Sequence, residues 1–167
     1  WWDSLPNDWQ FFFNDKLLPN GRINNKPSED ALIYLKDIDT ISCESYYRKE
    51  WNKDLKQSVY TYFINSIDGL QDLYNLKELK IVDCNLSQDS LENLCSLKSL
   101  VKLDLSQNKI AALPLNYRLG NIVELNISNN QFESLDFLIN LPNLEVLYCY
   151  SNKLTGTRGL EKANLSR

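Results

Sequence analysis

The chain has 167 residues, 43% of them hydrophobic, with 18 Lys and Arg against 22 Asp and Glu and no histidine, a net charge of −4. That length supports one domain with its own core, and the acidic balance argues against binding a DNA or RNA backbone, which needs clustered Lys and Arg. The lack of imidazole removes Ser-His and Cys-His pairs and histidine metal sites, and no apolar run approaches the roughly 18 residues of a membrane helix.

At the N-terminus, Trp1, Trp2, Leu5, Trp9, Phe12, Phe13 and Leu17 recur at three- and four-residue intervals. This spacing predicts an amphipathic helix starting near Ser4, with Pro6 in its first turn and Asp8 at the positive end of its dipole. Pro19-Asn20-Gly21 is a turn signal that ends it. Two readings stand for its aromatic face: a surface that docks a partner, or a cover over the open end of the core built by the downstream segments. Arg22 to Lys26 is polar and loop-like. Ser28, followed by Glu29 and Asp30, predicts an N-cap and a second helix across about 28 to 37.

Ile38, Ile41 and Cys43 open a short strand, with Tyr46 closing the phrase. Within Tyr46 to Phe63, the residues Tyr47, Trp51, Leu55 and Val59 lie four apart among charges, which favours a helix; the stretch from Ser58 to Phe63 has strand-like composition. This segment reads either as a binding element or as packing for the N-terminal helices.

From Leu76 a nine-residue phrase, apolar-x-x-apolar-x-apolar-x-x-Asn/Cys, returns four times. Its copies are Leu76, Leu79, Ile81, Cys84; Leu100, Leu103, Leu105, Asn108; Ile122, Leu125, Ile127, Asn130; and Leu144, Leu147, Cys149, Asn152. Each adds an apolar residue two places on, at Leu86, Ile110, Phe132 and Leu154. The alternation inside each phrase is a strand signal, and stacking such units in parallel at about 4.8 Å per step buries a continuous core that no single unit can bury. Asn at the ninth place can satisfy peptide groups of its own turn and of the neighbouring repeat. Leu91, Leu94 and Leu97 mark the best helix on the return side. After Asn152 the tail through Gly156, Gly159 and Leu160 reads either as a lid over the last strand or as the edge of a fragment.

This period and phrase resemble the leucine-rich repeat family over at least half the chain, and the return segments, such as Ile64 to Leu70, look like bacterial, internalin-like repeats. The resemblance implies an α/β fold: a right-handed solenoid with short parallel strands on a concave face. Residues 1–37 would form a helical N-terminal cap and 38–167 the repeats, the first of them (38–75) degenerate and interrupted by the insertion 46–63.

The cysteines read as packing. Cys43 and Cys149 lie about four strand steps apart, roughly 19 Å, too far for a disulfide; Cys84 and Cys95 share a repeat and are read as free thiols, with pairing between them open. This usage leans toward a reducing, cytoplasmic compartment, while a start at Trp1 without any Met leaves a processed leader and a secreted or periplasmic location open. Asn-x-Ser sequons fall at Asn85, Asn126 and Asn164.

Carboxylates are scattered and no Gly-rich phosphate loop occurs, so the expectation is a protein that is not an enzyme and needs no cofactor. What remains is a surface. The third, fifth and seventh places of the phrase should point outward, displaying Glu78, Lys80, Lys102, Asp104, Glu124, Asn126, Val146, Tyr148 and Tyr150 to a protein partner, with the seventh column running Glu44, Val82, Ser106, Ser128, Tyr150. Val146, Tyr148 and Tyr150 form the apolar and aromatic kind of cluster found at binding hot spots, unless the tail covers them or a missing next repeat flanks them. A sensor or scaffold segment of a longer multidomain protein, or a secreted adhesin, are the alternatives.

Overall fold

A computed structural model describes residues 1–18, 26–62, 64–114, 118–163 and 165. The expected turn at Pro19-Asn20-Gly21, most of the polar loop after it and the sequon at Asn164 lie outside them.

The N-terminal helix is broken where one continuous helix was expected. A 3-10 turn over Trp2–Ser4 precedes helix α1, Asn7–Phe12, and the chain then widens into a single π turn, Phe13–Leu17. Pro6 causes the break: it stands outside the helix as its N-cap with extended ψ of 142°, and Leu5 before it is extended as well. The Pro6 carbonyl still starts the helix by accepting from Trp9 and Gln10 N–H. The π turn, closed by Leu18 N–H to the Phe13 carbonyl, lets both Phe12 and Phe13 point inward. Trp2, Leu5, Trp9, Phe12 and Phe13 are all buried. Trp9 and Trp1 also donate their indole N–H to the Ser66 and Gly69 carbonyls at 2.9 and 3.0 Å. The aromatic face therefore seats on the segment that carries the buried Ile64, Ile67, Leu70 and Leu73.

Helix α2, Glu29–Lys36, starts as expected, with Ser28 Oγ accepting from Ala31 N–H at 3.3 Å. It buries Leu35 and leaves Ile33 on the surface.

Strand β1, Thr40–Glu44, then leads to the largest departure from the sequence reading. Residues 47–62 are an antiparallel hairpin, β2 Tyr47–Asn52 and β3 Gln57–Tyr62, and not a helix. A four-residue spacing fits a two-residue period as well as a 3.6-residue one, so Tyr47 and Trp51 could not discriminate. The turn decides: Asn52 Oδ1 accepts from Asp54 and Leu55 N–H at 3.0 and 2.9 Å, and Lys56 takes a φ of 51°. Trp51 and Leu55 are 63% and 60% exposed, so neither packs on the N-terminal helices.

The remaining strands are β4 Glu78–Val82, β5 Lys102–Asp104, β6 Glu124–Asn126 and β7 Val146–Tyr148, and they form one parallel sheet in the order β1-β4-β5-β6-β7. Register is uniform: Ile41, Leu79, Leu103, Leu125 and Leu147 pair in one line. Leu79, Leu103 and Leu125 are fully buried, whereas Leu147, on the last strand, is only partly so.

Two polar ladders fasten the coils. Asn108 Oδ1 accepts from Cys84 and Leu86 N–H of the preceding repeat, and its Nδ2 donates to Ile81, Leu105 and Ser106 carbonyls at 2.7–3.0 Å. Asn130 and Asn152 repeat the arrangement one and two coils on. The eighth place of each phrase, just before the ladder residue, shapes the turn: Ser45, Asp83, Gln107, Asn129 and Ser151 all take positive φ, between 47° and 59°. On the opposite side, Asn121 and Asn143 donate to Lys98 and Gly120 carbonyls one repeat back, both at 2.6 Å.

The return segments are 3-10 turns: Leu70–Asp72, Gln88–Ser96, Asp136–Asn140 and Leu160–Lys162. The three-residue spacing of Leu91, Leu94 and Leu97 matches the three residues per turn of a 3-10 helix, so one buried edge runs its whole length. The tail joins this back layer. Arg158 Nε lies 3.2 Å from Asp136, and Gly159, at φ 100°, brings its backbone so close to Leu135 that an added Cβ would clash with the Leu135 carbonyl oxygen. Gly159→Ala is therefore expected to destabilise by about 2 kcal/mol or more in thermal melts, from positive-φ strain plus the backbone clash. Gly156→Ala, where an added Cβ meets nothing within 4 Å, should stay within about 0.5 kcal/mol.

Candidate functional site

The outward face of the sheet is built by the register itself. Because third and fifth places pair strand to strand, Glu78, Lys102, Glu124 and Val146 form one row, and Lys80, Asp104, Asn126 and Tyr148 a second. Eight of the nine expected residues are thus brought together, and a depression of about 150 Å³ is walled by Glu78, Lys80, Lys102, Asp104, Glu124, Asn126 and Tyr148, with Leu79 and Leu103 beneath.

The charges on this face largely satisfy one another. Lys102 Nζ sits between Glu78 at 3.5 Å and Glu124 at 3.7 Å, and Lys80 Nζ meets Glu44 at 2.6 Å. The Glu44 contact raises the Lys80 amine above its ordinary range. All of these groups are substantially exposed, so each pair contributes little to stability, in the range of about 0–1 kcal/mol. Their effect is on recognition: a surface already paired offers little net charge to steer by. Asp104 and Asn126 are held from below as well, each accepting from the backbone N–H two residues on, Ser106 at 2.9 Å and Ser128 at 3.1 Å.

The seventh column is corrected. Val82, Ser106 and Ser128 are 7%, 6% and 0% exposed, so they are buried and not displayed to solvent as expected. Strands β5 and β6 end at the fifth place and the chain bends toward the positive-φ residue at the eighth, so Ser106 and Ser128 lie beyond the strands, whereas Val82 closes β4 opposite Glu44. Glu44 and Tyr150 are the exceptions. Tyr150 is 63% exposed and Tyr148 46%, with Val146 half-buried beside them. Among the described residues the tail packs at Arg158 and Gly159 against Asp136 and Leu135 on the back layer, and the two tyrosines remain exposed.

A second depression, of about 410 Å³, adjoins the first strand and was not foreseen. Phe12, Lys16 and Leu17 wall it from the N-terminal segment, and Thr40, Ser42, Cys43, Glu44 and Tyr46 from the repeat. Tyr46 takes the place of the ladder asparagine; its ring packs edge-on against Phe12 at 5.5 Å and its hydroxyl donates to Asp15 at 3.3 Å. Burial, with the Asp15 carboxylate beside it, pushes the Tyr46 phenol up. The hydrogen bond from Lys16 holds Asp15 low. Tyr46 at an Asn position was the one signal in the sequence that this end differs from the rest.

Comparison with known proteins now decides what the periodic phrase is. Residues 120–162, spanning β6, β7 and most of the tail, match the family described as leucine rich repeats, in two copies. Residues 120–162 carry leucine-rich repeats. It is 33% identical over 135 residues, 71% of its length, to a Ras guanine nucleotide exchange factor V of Dictyostelium discoideum. A leucine-rich repeat and WD repeat-containing protein 1 of Xenopus laevis is 36% identical over 86 residues, 48% of this chain, and an uncharacterized leucine-rich repeat-containing protein of Schizosaccharomyces pombe 29% over 139 residues, 80% of it. The chain spans 6%, 12% and 21% of the lengths of these three relatives. All three are eukaryotic, so they lend no support to the bacterial, internalin-like subtype. Leucine-rich repeats imply the solenoid-like α/β arrangement that the parallel sheet displays, and such domains generally mediate protein–protein interaction.

Proposed function

We propose that these leucine-rich repeats form a right-handed, concave solenoid, capped by residues 1–37, that binds a protein partner across the face of residues 38–167 and does no chemistry itself. The observation that carries this reading is the register, which lines up eight outward residues in two rows leading to two exposed tyrosines. With the polar rows mutually paired, the affinity would come from Val146, Tyr148 and Tyr150, the amphipathic residues favoured at hot spots. Tyr148→Ala combined with Tyr150→Ala is expected to weaken capture of a partner from source lysate by about 30-fold or more, with an unchanged circular dichroism spectrum. Equal capture by the double variant would remove both tyrosines from the site.

A second reading, supported by the small share of each relative that the chain spans, is a sensor or scaffold segment of a longer multidomain protein. A reading frame continuing past Arg167 supports it, and a stop codon directly after Arg167 counts against it.

A further inference from the structure

Cys84 stands at the ninth place of its repeat, where the next three repeats have an asparagine. Its sulfur lies 3.6 Å from that of Cys43 on the neighbouring strand β1 and 3.3 Å from the Val82 carbonyl oxygen. Both thiols are free and almost completely buried. An isolated buried pair of this kind would be ordinary packing, but Cys43 also forms part of the wall of the 410 Å³ depression between the N-terminal segment and β1. The depression reaches the Cys43 side of the pair, with the Cys84 sulfur 3.6 Å from that of Cys43. Cys95 lies elsewhere in the same repeat, on the 3-10 return segment, and the sheet places β7, which Cys149 follows, at the opposite edge from β1.

The two sulfurs are chemically unequal. The hydrogen bond with Cys43 holds the Cys84 thiol below its ordinary range, helped by the Tyr46 backbone N–H, while the same contact together with burial pushes Cys43 up. That direction favours Cys84 as the attacking sulfur and Cys43 as the resolving partner.

We propose that Cys43 and Cys84 are a redox modification site, closed by hydrogen peroxide into a disulfide that ties the first repeat to the second. The Cys84 thiolate attacks one peroxide oxygen, the O–O bond breaks, and the departing hydroxide takes up a proton to leave as water. Cys84 is then a sulfenic acid. Cys43 sulfur attacks the Cys84 sulfur as it loses its proton, the S–O bond breaks, and a second water leaves. Two thiols lose two electrons and the peroxide gains them, so no further reactant is required. The sulfurs close from 3.6 Å to about 2.05 Å. The bridge closes the loop that contains the β2–β3 hairpin. Crosslinking a loop of that length is expected to raise the melting temperature by roughly 10 °C.

The test treats the full chain with hydrogen peroxide under native conditions, then unfolds it in iodoacetamide and maps the cysteines by mass. Cleavage before Asp39, Asp83 and Asp89 puts Cys43, Cys84 and Cys95 on separate fragments. The expected product has lost two hydrogens, carries two alkylated cysteines, and joins the Cys43 and Cys84 fragments until dithiothreitol separates them. Cys43→Ser and Cys84→Ser should each abolish the crosslink, and Cys95→Ser should retain it. Four alkylated cysteines after peroxide, a Cys84–Cys95 bridge, or sulfinic acid at Cys84 with Cys43 still free would each overturn the proposal. The wild-type map is decisive even if a serine variant fails to fold.

Discussion

Asn108→Ala is expected to lower the unfolding free energy by about 3–5 kcal/mol, which for a chain of this length moves the melting temperature down by roughly 10–15 °C. The magnitude follows from which groups lose their partner. Without the amide, the N–H groups of Cys84 and Leu86 and the carbonyl of Ile81 lose the contact that holds them inside the turn. A buried group left unsatisfied costs about 1–3 kcal/mol. The Leu105 carbonyl keeps Asn130, and the Ser106 carbonyl keeps the Asp83 N–H, so those two do not add to the loss. Asn152→Ala should cost less, because Asn152 is half-exposed on the last coil and its groups can turn to water. Urea titrations of both variants check the order. A loss under about 1 kcal/mol at Asn108, or a larger loss at Asn152, would show that the ladder is not what fastens the coils.

Trp9→Ala should be comparably damaging, at about 3–5 kcal/mol, for a different reason. Trp9 is 1% exposed, packs edge-on against Phe12 at 5.4 Å and tilted against Phe13 at 5.7 Å, and donates its indole N–H to the Ser66 carbonyl. Truncation removes a large buried ring, leaves a cavity and takes away the Ser66 partner together. Trp9→Phe separates these contributions: it retains most of the packing and should cost about 1–2 kcal/mol, mainly the hydrogen bond. In a stack where each coil contacts its neighbours, the damage should fall first on the N-terminal repeats. Hydrogen exchange would then rise at Ile41 and Leu79 before Leu125. Indifference to Trp9→Ala would mean that the N-terminal segment is not part of the folded unit.

How legible the molecule was depends on the period involved. The repeat phrase specified the inward ladder and the third- and fifth-place rows, because alternation and a 22-residue step are both written in single residues. Its seventh place was misread: Ser106 and Ser128 continue the alternation on paper, but the backbone leaves the strand before reaching them. The hairpin was misread because four-residue spacing satisfies two periods. The N-terminal helix was half right, since the aromatic periodicity is real and Pro6 still interrupts it. The candidate site was legible except at its N-terminal end, where the Tyr46 depression joins residues about 30 apart in sequence that no local pattern connects.

The amino-acid order by itself determined the repeat, the inward leucines, the asparagine ladder and the composition of the two outward rows, since each depends on spacing within one coil and on the same demand recurring in the next. The tertiary structure decided what depends on contacts between coils or across long loops. Those are the burial of the seventh column, the route of the tail along the back layer that leaves Tyr148 and Tyr150 open, and the meeting of Cys43 with Cys84. The physical reason is common to all three: a side chain's exposure and its neighbours are set by what packs, or does not pack, over it, and spacing within one coil does not record that.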